Sequence, residues 1–173
     1  MAEFEIAIER TLQWEGGYST DPHDPGGETL FGISRKMHPE WSGWSRVDEL
    51  KKHFSGSGLT GVLNADGGLR ESAKQFYEEN FWDYDEIDSQ VVANKVFDLG
   101  VNLGEHTAVK MLQQCVGVKD DGIFGNKTLE AVNGCNGAVL LEKYEGTADT
   151  YYRSLDNFSR YGKGWLRRLW DSV

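Results

Sequence analysis

A mainly α-helical fold with one small β-hairpin is what this sequence predicts, and three observations predict it. Apolar residues return every third or fourth position in several separate stretches, the spacing of one helix face. Strand-like alternation occurs once, over Glu28 to Ile33. No internal repeat or low-complexity tail interrupts the series, which amounts to seven or eight helices.

The first helix is expected over about Glu3 to Trp14, because Phe4, Ile8 and Leu12 recur at intervals of four. Gly16-Gly17 stops it, since glycine takes the left-handed C′ conformation without steric cost. Glu15 therefore falls on the last turn, where the helix carries about half a negative charge of its own. That field, with partial burial beside Trp14, favours the protonated carboxyl and raises its pKa. A carboxylic acid kept protonated near neutral pH is what acid-catalysed glycosidic cleavage needs. Asp21 and Asp24 follow, each before a proline in a turn-rich loop, and then the hairpin bearing Thr29. The arrangement suggests Glu15 as proton donor, Asp24 steadying an oxocarbenium-like centre or directing a water, and Thr29 holding that water. The plainer reading makes Glu15 a solvated surface residue and the Asp-Pro pairs mere turns.

Beyond the hairpin, residues 34–44 read as irregular. Trp41 and Trp44 there either line a saccharide groove or pin a loop to the core. A short helix over Arg46 to Phe54 ends in Ser55-Gly56-Ser57-Gly58, which reads as a flexible surface loop. A longer helix spans about Gly68 to Trp82 with Leu69, Ala73, Phe76, Tyr77 and Phe81 on one face. Tyr84 lies in the acidic loop after it. Ser89 opens the next helix as an N-cap, with Gly100 and Gly104 marking a close helix crossing. Asp98 and Asn102, four apart on that helix, either face a groove or satisfy each other's neighbours inside the core. Helices follow over His106 to Val116, Thr128 to Val132 and, as the last, Ala138 to Phe158, after which Tyr161 to Trp170 ends the chain without an assigned element. Arg160, Lys163, Arg167 and Arg168 form its one basic patch, read as pairing with acidic surface rather than with wall or lipid.

Composition bounds the function. The 173 residues suit one domain or two small packed halves, with 39% hydrophobic and 27% charged residues as in ordinary globular proteins. A net charge of -10 argues against nucleic acid as a partner, and it counts against thick anionic cell walls as a substrate. No apolar run reaches the ~18 residues of a membrane span, and Met1 to Arg10 lacks the apolar core of a secretory signal. The expectation is a protein made in the cytoplasm without a signal peptide or stable membrane insertion. Cys115 and Cys135 lack metal-ligand spacing and read as reduced, buried thiols. A metal site of His23 with Asp21 and Asp24 is conceivable, but the prolines already explain that loop, so no metal is assigned.

Glu15-Gly16-Gly17-Tyr18, the Asp-Pro-x-Asp-Pro-Gly-Gly loop from Asp21 to Gly27 and Thr29-Leu30-Phe31-Gly32-Ile33 together resemble glycoside hydrolase family 108, phage-type N-acetylmuramidases also called secretion activator proteins. Phe97-Asp98 with Val101-Asn102 and Gly104 is similar to that family's FD-x-x-VN-x-G signature. Leu112-Gln113 with Asp121-Gly122, Gly125 and Thr128 resembles the LQ…DGxxGxxT pattern of the peptidoglycan module that accompanies it. The resemblance implies a lysozyme-like helical fold, with a catalytic half over 1–88 and a helical peptidoglycan-binding-like half over 89–173. It implies peptidoglycan hydrolysis at the β-1,4 bond between N-acetylmuramic acid and N-acetylglucosamine, without a cofactor. Glu15 takes the place of the catalytic acid, with Asp24 and Thr29 assisting and Asp21 competing with Asp24. Tyr18, Asp21, Trp41, Tyr84, Asp98 and Asn102 are the substrate-binding candidates. The expected partner is the peptidoglycan glycan strand, reached through a holin-type pore or a secretion system. Two other functions fit the same residues: a lytic transglycosylase, and a wall-binding or secretion-assisting protein without turnover. Chitinase activity is a weaker third.

Overall fold

The computed structural model describes residues 1–20 and 27–171. Among them are nine helices and one two-stranded sheet, the mainly α architecture expected. None of these helices is long and apolar enough to cross a membrane. The chain divides into two compact units, Ile8–Asn80 and Met1–Ala7 with Phe81–Val173. The boundary at 88–89 expected from sequence lies inside the second of these.

In the unit Ile8–Asn80, helix α1 (Phe4–Trp14) contributes Ile8 and Leu12 to the core. Strands β1 (Thr29–Leu30) and β2 (Ile33–Ser34) pair antiparallel, Thr29 opposite Ser34 and Leu30 opposite Ile33. Leu30 and Ile33 are buried while Thr29 and Ser34 are half-exposed, so the period-two pattern sorts the hairpin into an inner and an outer face. Helices α2 (Gly43–Lys51), α3 (Gly56–Ala65) and α4 (Gly67–Phe81) follow. Helix α3 overturns the expected surface loop. Its first residues are poor helix formers, yet Leu59 and Leu63 stand four apart and are buried. Packing of that stripe outweighs glycine's cost of roughly 1 kcal/mol per residue. Glu9 ties α1 to α4 through Arg70 and Lys74, each at 2.7 Å.

The second unit is built on α5 (Gln90–Leu103), α6 (Glu105–Val116), α7 (Asn126–Asn133), α8 (Gly137–Ser154) and α9 (Phe158–Leu169). Helix α5 packs on α6 and α8, and α8 on α9. The first residues of the chain are fastened here: Ala2 N–H donates to Asp85 O at 2.9 Å, and the Gln90 side chain bonds both backbone groups of Glu3. Phe4 sits edge-on to Trp82 and Phe97, at 5.6 and 5.7 Å.

Ser89 occupies the N-cap position of α5 as expected, although its side chain makes no cap bond. Three further expectations are corrected. Gly100 does not mark a close crossing, because a Cβ there would meet Glu105 Cα and the Tyr84 hydroxyl only at 3.8 and 4.0 Å. Gly104, with φ +86°, instead separates α5 from α6. The single helix expected from Ala138 to Phe158 ends at Ser154, where Leu155 turns extended (ψ 138°) with no glycine or proline to announce it. Both thiols are free, but only Cys115 is buried; Cys135 is exposed.

Candidate active site

Glu15 is placed by the end of α1. Its N–H still donates to Thr11 O at 3.2 Å, continuing the helix ladder, and Gly16 then takes φ +72° and turns the chain away. The carboxylate extends to the hairpin turn, where it lies against Gly32. One of its oxygens, Oε1, is sealed from solvent. The turn itself is Phe31-Gly32, with φ +50° and +81°. Positive φ at both central residues is what a type I′ hairpin turn requires. Gly32 accepts this freely, but Phe31 is a bulky side chain in the left-handed region, at a cost on the order of 1–3 kcal/mol. Tyr77 of α4, nearly buried, holds the strained turn by donating its hydroxyl to Phe31 O at 2.9 Å. That hydroxyl and the Glu15 carboxylate converge on the same point above Gly32, where a Cβ would strike both.

The rest of the Glu-Gly-Gly-Tyr stretch is anchored next to this point. Gly17 is pressed against the Asn64 amide, which leaves no space for a Cβ, and Asn64 Oδ1 accepts from Tyr18 N–H at 2.8 Å. Tyr18 donates its hydroxyl to Glu28 Oε1 at 2.7 Å. Burial, together with the Glu28 carboxylate, holds that phenol far above its ordinary range. Glu28 also pairs with Lys51 at 2.6 Å and Arg35 at 3.1 Å. Arg35 continues to Asp48 at 2.8 Å and stacks 4.7 Å above Trp44. Burial alone would raise the Glu28 pKa; hydrogen bonds from Lys51 and Tyr18 overcome it and leave the group below its ordinary 4.5. The folded state therefore releases this proton more readily than the unfolded chain. Glu28 contributes stability above pH 4.5 that is lost as pH falls through its lower folded value. Replacing Glu28 with Gln should flatten this part of the acid limb in a series of thermal melts between pH 3 and 6, a window on the order of one unit either side of the ordinary carboxylate value.

Thr29 is bound to Ser19 by two backbone hydrogen bonds of 2.9 Å, which adds a third extended segment beside the hairpin. Its side chain shares the outer, half-exposed face with Ser34. Asp21 and Asp24 lie outside the described residues, as does His23. Among the described residues no group of three or more His, Cys, Asp or Glu is arranged to hold a metal. Trp41 is 6% exposed, sits edge-on to Trp44 at 4.9 Å, and donates its indole N–H to Ser72 O at 3.2 Å. It thereby ties the segment before α2 to α4, with one edge lining a cleft beside Gln75 and Asn80.

The remaining candidates belong to the other unit. Tyr84 is fully buried, its ring edge-on to Phe124 at 5.1 Å. Asp98 receives the Arg168 guanidinium, with 2.8 Å from Nη2 to Oδ1 and Nε shared between both oxygens. Asn102 accepts the Tyr152 hydroxyl at 2.6 Å. Asp98→Ala would leave Arg168, 8% exposed, buried without its anion. A loss of about 3–5 kcal/mol follows, read as a fall of roughly 10 °C in Tm.

Sequence reasoning singled out neither Tyr77 nor Glu28. Tyr77 looked like one more apolar-face residue of α4, and only its hydroxyl could have drawn notice, since a buried tyrosine needs an acceptor. Glu28 carried no signal, because its cations arrive from elsewhere in the chain.

Residues 8–104 match the model of the glycosyl hydrolase 108 family, and residues 107–170 match that of a predicted peptidoglycan domain. A solved structure described as that of Brucella abortus SagA is 30% identical, with a TM-score of 0.70 over 96% of this chain and 88% of that one. No curated protein matches.

Proposed function

Because this chain belongs to the glycosyl hydrolase 108 family and carries a peptidoglycan domain, we propose that it is an N-acetylmuramidase with Glu15 as general acid. The bond cleaved is the β-1,4 link between N-acetylmuramic acid and N-acetylglucosamine. The observation that carries the reading is the position of Glu15, a carboxyl with one oxygen closed to solvent at a strained turn. Held at the end of α1, the carboxyl supplies its proton to the leaving oxygen. The glycosidic C–O bond breaks as this proton is delivered. Asp24, or Asp21, stabilises the developing positive charge or directs a water, and Thr29 holds that water. Water supplies the hydroxyl at the new reducing end and returns a proton to Glu15.

Digestion of purified peptidoglycan by the native chain and by Glu15→Gln tests this. The expected result is release of muropeptides with a reducing muramic end by the native chain alone. Products lighter by one water would identify a lytic transglycosylase instead. Absence of release by either chain would favour a wall-binding protein without turnover.

A further inference from the structure

In the peptidoglycan-domain match, α6, the 118–125 loop and the start of α7 enclose a groove of about 560 Å³. That volume is in the range of small-ligand sites. Its floor is prearranged. Gln113, 1% exposed, donates its amide to Asp121 Oδ1 at 3.0 Å, Ile123 O at 3.0 Å and Thr128 Oγ1 at 3.1 Å. Its carbonyl oxygen accepts Gly122 N–H at 2.8 Å. The Gln113 amide is thus fully engaged in holding the loop, so the contact surface falls to the rim.

That rim has a definite chemistry. Lys119 and Lys127 offer two ammonium groups on an otherwise acidic chain, and Lys119 is 85% exposed even while 3.4 Å from Asp121. Asp121 is kept ionised by hydrogen bonds from Gln113 and from Ile123 N–H. Ile123 stands 70% exposed beside them, an apolar knob with nothing packed over it. None of the nine lining residues is aromatic. A glycan site normally presents flat aromatic faces to the sugar rings, and this groove has none.

We propose that the groove binds the peptide portion of peptidoglycan, the short stem rich in carboxylates, rather than its sugar chain. This rests on the reading above that peptidoglycan is the substrate. The two lysines match the carboxylates of a γ-linked glutamate and of the terminal residue. Asp121 matches the free ammonium of a diamino acid. Ile123 matches alanine methyls.

The full chain carrying Glu15→Gln provides the test, since it cannot consume the wall. A free stem tetrapeptide of alanine, γ-linked glutamate, a diamino acid and alanine is titrated while backbone amides are followed by NMR. The expected shifts fall on Gly122, Ile123, Asn126 and Lys127. Lys127→Glu and Ile123→Asp, both at exposed positions, should weaken tetrapeptide binding by about tenfold or more. Shifts confined to other residues, unchanged affinity in both variants, or equal binding to glycan strands stripped of peptide would each overturn the assignment. Hydrolysis by the native chain is scored separately, so a failure of the enzyme reading and a failure of this groove give different results.

Discussion

Glu15→Gln should lower kcat on purified peptidoglycan by about 10²–10⁴-fold, the range that general acid catalysis supplies. Glutamine has the same length and shape as the glutamic acid it replaces. It fits beside Gly32 and Tyr77 without the clash that a larger side chain would bring. What it lacks is an acidic proton, so the leaving oxygen must depart as an anion or wait for solvent. Tm should change by only a few degrees, because the amide keeps the volume of the carboxyl beside Gly32 and Tyr77 and no core apolar residue is altered. KM should stay within a small factor of the native value, since the loss falls on the transition state. Activity retained within twofold would remove Glu15 from the mechanism.

Gly32→Ala should be the most damaging single-methyl change at the turn. The residue sits at φ +81°, where an L side chain costs about 1–2 kcal/mol. Its new methyl would also strike the Glu15 carboxylate and the Tyr77 hydroxyl. Neither neighbour yields easily: Tyr77 is hydrogen-bonded to Phe31 O and nearly buried, and the Glu15 Cβ would itself lie 3.1 Å from the methyl. A displacement near 1 Å at a catalytic group can cost ~10²-fold in rate. The expected outcome is therefore a kcat loss on that scale together with a fall in stability of about 1–3 kcal/mol. Gly56→Ala is the control. It too has positive φ, at +54°, but nothing lies within 4 Å of its Cβ position. It should lose stability through the backbone alone and leave kcat unchanged. Equal kcat in both variants would show that the contact between Gly32 and Glu15 has no catalytic meaning.

Much of this arrangement is readable before any coordinates. The i, i+4 stripe of Phe4, Ile8 and Leu12 and the glycine after Glu15 place a carboxyl at a helix end. The alternation of Glu28 to Ile33 places an extended stretch with Thr29 shortly after it, read there as one strand; the structure breaks it at Phe31-Gly32 into the two strands of a hairpin. These signals are local: backbone preferences and periodicity act over a few residues, and the family resemblance rests on the same contiguous stretches. Helix α3 escaped because its glycines and serines argue against a helix, while the burial that overrides them depends on what Leu59 and Leu63 meet.

What the sequence by itself determined is the helix that ends at Glu15, the extended stretch with Thr29 that follows and the helical class of the whole. Only the tertiary structure decided that Tyr77, 46 residues from Phe31, holds the turn. It alone decided that Asp98 is matched by Arg168 from 70 residues away, and that Gln113 braces a groove. Hydrogen bonds and ion pairs between distant positions leave no period in the chain. They arise when packing brings two polar groups out of water together and each must find a partner there.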